Sequence, residues 1–114
     1  MMPQVLVMAA DDRLRDLLFE FLMEEGYQVN LAEHCKQAIE VMEREHGLLV
    51  VFDLLPSGSE GENLIRWLKD SQRFDHQVVA LREGPPLGPE RRWLATGAIK
   101  AVVHKTVNID RLLS

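Results

Sequence analysis

Asp53 closes a run of five apolar residues, Leu48-Leu49-Val50-Val51-Phe52, and a glycine-containing loop follows, with Gly61 eight positions on. A carboxylate at the rim of a buried run is costly if nothing partners it. The residues that topology brings beside it therefore decide its chemistry. More carboxylates would build a hard-oxygen site for Mg²⁺, which neutralises charge during phosphoryl transfer. An arginine would instead form a charge-assisted, often bidentate pair and keep the carboxylate ionised. The two positions directly behind the first apolar stretch are Ala9-Ala10, and an acid pair, Asp11-Asp12, stands two positions later. Arg82 ends a later apolar run and is the candidate cation.

No other constellation competes. His34, His46, His76 and His104 are scattered without metal-ligand spacing, and Cys35 is the only cysteine, so no internal disulfide can form. Gly84, Gly88 and the prolines near them make no phosphate-cradling motif. No Ser-His-Asp set follows from spacing.

The elements that must position Asp53 alternate between strand and helix. Gln4–Met8 reads as a first strand. Over Arg13–Glu25, Leu14, Leu17, Leu18, Phe21 and Leu22 form one apolar stripe of a helix, capped by Asp11 or Asp12 and ended by Gly26. Tyr27–Leu31 is a second strand. Glu33–Arg44 is a second helix with Cys35, Ala38, Ile39 and Met42 inward. Leu48–Phe52 is a third strand, apolar throughout, as a strand covered on both faces should be. Ser59-Glu60-Gly61-Glu62 has capping-box spacing and opens a third helix to about Asp70, in which Trp67 packs against the sheet. Gln77–Leu81 is a fourth strand, Glu83–Pro89 a loop, Glu90–Thr96 a short fourth helix stopped by Gly97, Ala101–Val103 a fifth strand, and Asn108–Ser114 the start of a fifth helix.

Five βα units in one short chain imply a flavodoxin-like three-layer α/β sandwich, with a five-stranded parallel sheet and helices on both faces. The order for that class is 2-1-3-4-5, with the site at the switch between strands 1 and 3. This rule gathers Ala9, Ala10, Asp53, Arg82, His104 and Lys105 at one rim. The 114 residues suffice for one domain and one core. A net charge of −5 argues against nucleic-acid binding through this domain, and Arg91-Arg92 is the only adjacent basic pair. No apolar run approaches the roughly 20 residues of a membrane span, and a single cysteine fits a cytoplasmic location.

The distributed signature resembles the receiver domains of response regulators over nearly the whole chain. It comprises Val5-Leu6-Val7, Leu14-Arg15-Asp16-Leu17-Leu18, Glu25-Gly26-Tyr27, Ala38-Ile39, Asp53-Leu54-Leu55-Pro56 with Gly61, and Gly97-Ala98. The resemblance implies that Asp53 is the phosphoacceptor position. It also implies two acids after strand 1, a Ser or Thr ending strand 4, an aromatic switch in strand 5 and a Lys behind it. Here those places read Ala9-Ala10, Arg82, Ala101 and His104, with Lys105 one further. Glu83 takes the position that is usually small, and Pro56 sits one residue early.

The expectation is therefore a single receiver-like domain over residues 1–114, its last helix truncated. It is degenerate at the metal site, is not an enzyme, needs no cofactor and signals through protein contact. Asp11 and Asp12 are weak metal candidates. Arg82 is expected to stand in for the metal against Asp53. Arg91, Arg92, Trp93, Lys100 and Ala101 form the expected contact surface, for a histidine kinase, an output domain or a second copy offering Asp110. A second reading is a working Mg²⁺-dependent phosphoacceptor at Asp53. A third is a small-molecule binder using the crevice around it.

Overall fold

A computed structural model describes residues 3–53, 60–71, 75–82 and 88–104. The elements in chain order are β1 (Gln4–Met8), α1 (Asp12–Glu24), β2 (Gln28–Ala32), α2 (Cys35–Arg44), β3 (Leu49–Asp53), α3 (Glu60–Ser71), β4 (Gln77–Arg82), α4 (Gly88–Thr96) and β5 (Ala101–His104). All pairings are parallel and the strand order is β2-β1-β3-β4-β5, as expected. The turn carrying Pro56 and Ser59, the residues Glu83 and Lys105, and the expected helix from Asn108 with Asp110 lie outside the described residues.

Each strand sends alternate side chains to opposite faces. Leu6, Met8, Val50, Phe52, Val78 and Ala80 pack under α2, α3 and α4 with Ala38, Met42, Leu64, Leu68 and Trp93. Val5, Val7, Ala9, Val51 and Leu81 pack on the other face with Leu18 and Leu22 of α1. The β3 residues Val50, Val51 and Phe52 are 0 to 1% exposed, which is why that strand carries no alternation in sequence.

The differences from expectation are local. Asp11 is the N-cap of α1, its carboxylate accepting from the amides of Arg13 (2.9 Å) and Leu14 (3.3 Å). Leu17, placed on the apolar stripe by its spacing, is 52% exposed, so the buried stripe is narrower. His34 caps α2 through Nδ1, which accepts from the Gln37 amide (3.4 Å), while the Glu33 amide donates to Gln37 Oε1 (2.7 Å). That arrangement starts α2 two residues later than the periodicity suggested. α4 starts at Gly88 rather than Glu90, with Pro89 in the first turn, where its missing N–H costs nothing. Gly97 at φ +80° turns the chain out of α4, a conformation a side chain disfavours.

Candidate functional site

Asp53 stands at the C-terminal end of β3, on the α1 face two residues beyond Val51. It is 6% exposed and both carboxylate oxygens are sealed from solvent. Met8 pairs with Phe52, so the next residue of β1's path, Ala9, falls level with Asp53. Ala9 is buried and its amide donates to the Ala32 carbonyl (3.0 Å). Ala10 is exposed. The register thus places an alanine methyl, not a carboxylate, beside Asp53.

The two later acids are committed elsewhere. Asp11 caps α1. Asp12 pairs with Arg15, whose guanidinium also donates to the Ala9 carbonyl (2.9 Å) and lies 3.8 Å from Glu33. The Arg15 side chain is only 12% exposed. Its stem lies along the protein while its head ties the start of α1 to the end of β1 and to the turn after β2. Its i,i+3 spacing from Asp12 was legible in the sequence; its reach back to Ala9 was not.

A divalent cation at this rim would need oxygen ligands around Asp53. Ala9 and Ala10 offer no side-chain oxygen, Asp11 and Asp12 serve the helix start, and among the described residues no three His, Cys, Asp or Glu side chains could together hold a metal ion. Among the described residues, the side-chain donors around Asp53 do not fit Mg²⁺.

Leu81 lies opposite Asp53 in the β3–β4 register, and Arg82 is one step beyond, paired with His104 of β5. Arg82 and His104 therefore share the rim with Asp53, but Arg82 leaves β4 on the face opposite to Leu81 and Asp53. Its half-buried side chain must fold over the strand end to reach the carboxylate.

The expected contact surface is only partly exposed. Arg91, Arg92 and Lys100 are exposed, and Ala101 is half-buried in β5. Trp93 corrects the expectation that it anchors a partner. It is 8% exposed and packs on Phe52, with ring centroids 6.5 Å apart. Its ring fills the core between α4 and the sheet, the use to which a large apolar side chain on a short helix is readily put. Trp67 is partly buried against the same cluster, as expected. Cys35 is buried at the start of α2. His76 is buried where α2, β3 and β4 meet, its ring bonded to the Leu48 amide and the Met42 carbonyl.

Sheet order and rim together define the CheY-like receiver fold. No protein-family model matches the chain. It is 25% identical over 114 residues to the polar-differentiation response regulator DivK of Brucella ovis, an alignment covering 98% of this chain and 92% of that protein. A CheY-like receiver domain from Methanospirillum hungatei superposes with a TM-score of 0.82 at 18% identity, over 97% of this chain and 88% of the other. The response regulator TrrA of Thermotoga maritima, solved in complex with Mg(2+)-BeF, gives a TM-score of 0.76 at 27% identity, over 98% of this chain and 94% of the other. The chain is thus similar in fold to CheY-like receivers and similar in sequence, at 25% and 27% identity, to response regulators. Among the described residues no helix is long and apolar enough to cross a membrane.

Proposed function

We propose that this chain is a degenerate receiver domain, cytoplasmic and not an enzyme, which transmits signals by protein contact instead of Mg²⁺-dependent phosphorylation. The observation that carries this reading is the rim itself. Asp53 keeps its place at the end of β3, while the neighbouring positions are Ala9-Ala10 and the nearby acids are held by the α1 cap and by Arg15. Phosphoryl transfer to a carboxylate depends on charge stabilisation by the metal, and removing it removes the main catalytic contribution. The partners fitting this reading are a histidine kinase, an output domain or a second copy, meeting the exposed Arg91 and Arg92 of α4 and Lys100 just before β5.

The test is direct. Millimolar Mg²⁺ is expected to leave tryptophan fluorescence and melting temperature unchanged, and acetyl phosphate or beryllofluoride to leave Asp53 unmodified by mass spectrometry. Efficient Asp53-dependent phosphorylation overturns the proposal and restores the second reading, a working phosphoacceptor, which the retained position of Asp53 favours.

Within this reading Arg82 folds over the end of β4 and supplies positive charge to Asp53. The shared rim and the half-burial of Arg82 support this; the opposite faces of Arg82 and Leu81 oppose it. Arg82→Ala is expected to destabilise the wild type and to cost much less in an Asp53→Ala background. Additive losses in that cycle mean that the side chains do not interact.

A further inference from the structure

The chain is acidic overall, yet one groove gathers positive charge. It runs between α3 and α4, holds about 310 Å³, and is lined among the described residues by Glu62, Ile65, Arg66, Lys69, Arg92 and Trp93. Arg66 and Lys69 are three residues apart and so share one face of α3. Arg92 enters from α4. All three cations are exposed, and among the described residues none forms an ion pair, whereas Arg15 and Arg44 do. Among the described residues Glu62 is the groove's one acid. Ile65 and Trp93 close the floor, both buried, and Phe52 packs on Trp93.

We infer that this groove docks an acidic helix of a partner protein. Its carboxylates would meet Arg66, Lys69 and Arg92. A helix laid between two helices presents side chains at i, i+3 and i+4, the spacing that the α3 cations match. A small anion fits less well. The cations are separate and solvated, each pair contributes little alone, and several must act together to matter. The inference rests on the reading that the domain works by protein contact. It moves that contact from α4–β5 to α3–α4, where Trp93 serves as floor and not as anchor.

The full chain is titrated at low ionic strength with an amidated helical peptide of about 16 residues built from Glu, Ala and Leu, a length at which helix formation in water becomes practical. Backbone amide shifts are followed. Saturable shifts on α3 and α4 are expected, weakening as salt is added. Arg66→Glu combined with Arg92→Glu is expected to weaken binding about tenfold or more, since charge reversal replaces attraction by repulsion at two sites. Arg91→Glu combined with Lys100→Glu, on the α4–β5 side, is expected to change it by less than about twofold. All four residues are exposed, so the fold is retained, which circular dichroism checks. No saturable shift overturns the inference. Loss of binding in the Arg91/Lys100 variant alone overturns it too, while leaving the protein-contact reading standing on α4–β5. Equal shifts with inorganic phosphate would make the groove a small-anion site and overturn the docking helix. Failure of the protein-contact reading is seen separately, as Mg²⁺-dependent phosphorylation of Asp53.

Discussion

Replacing His76 by alanine is expected to be among the costliest single changes in this domain. The imidazole side chain has no exposed surface. Its Nδ1 accepts from the Leu48 amide (3.1 Å), which fixes the tautomer, and Nε2–H donates to the Met42 carbonyl (3.0 Å). One ring thus satisfies the end of α2 and the approach to β3 from the first turn before β4. Asp75 reinforces the junction, accepting from the Gly47 amide (3.2 Å) and pairing with His46 (3.3 Å). His76→Ala removes the partners of two backbone groups, each costing about 1–3 kcal/mol when left unsatisfied in the interior. The expected total is about 2–6 kcal/mol, a large share of the roughly 5–15 kcal/mol that holds an ordinary domain. At about 4 °C per kcal/mol for a domain of this size, the melting temperature falls by about 8–24 °C. Urea denaturation should show a lower midpoint at unchanged slope, and exchange of the Leu48 amide should accelerate. His76→Gln, whose amide carries one acceptor and one donor group, should recover part of the loss. A loss below about 1 kcal/mol, with Leu48 exchange unchanged, would refute the reasoning by showing that water or relaxation replaces both bonds.

Trp93→Ala should cost about 3–5 kcal/mol in urea denaturation, the range for emptying a large buried aromatic site, because the ring is core beside Phe52. Full stability with lost partner binding would restore Trp93 as a surface anchor. The double change Ala9→Asp with Ala10→Asp should lower stability in the absence of metal, since a second carboxylate is then forced beside buried Asp53, and Mg²⁺ should recover it. A thermal melt insensitive to Mg²⁺ in that variant would show that the Arg15 hook on Ala9 also has to be removed.

The sheet and its order were legible because the apolar runs are short, regularly spaced and separated by turn residues, and because parallel connection leaves few arrangements. Asp53 was legible for the same reason, as an acid closing a fully buried run. What escaped was tertiary. Leu17 fits the stripe by spacing, but the packing on α1 centres on Leu18 and Leu22, so it faces outward. Trp93 sits among arginines in sequence, and only the packing of α4 on Phe52 shows that its ring turns inward while Arg91 and Arg92 turn out. His76 is invisible to motif spacing, since its partners are backbone groups of Leu48 and Met42, far away in the chain. The same holds for Arg15 and the Ala9 carbonyl.

Alanine at position 9, beyond β1, has a physical logic. A carboxylate at position 9 would be buried beside Asp53, and two like charges there need a cation to hold them. With alanine the position joins the apolar cluster of Val7, Val51 and Leu18, and that requirement disappears. Arg15 then ties the end of β1 to Asp12 and Glu33 with a cation that belongs to the chain. On the proposed reading, a rim closed in this way is insensitive to metal. Any switching must come from a ligand that binds two conformations with different affinity. Such a ligand has to act on the surface, and the exposed cations of the α3–α4 groove, which form no ion pair among the described residues, give it charge to recognise.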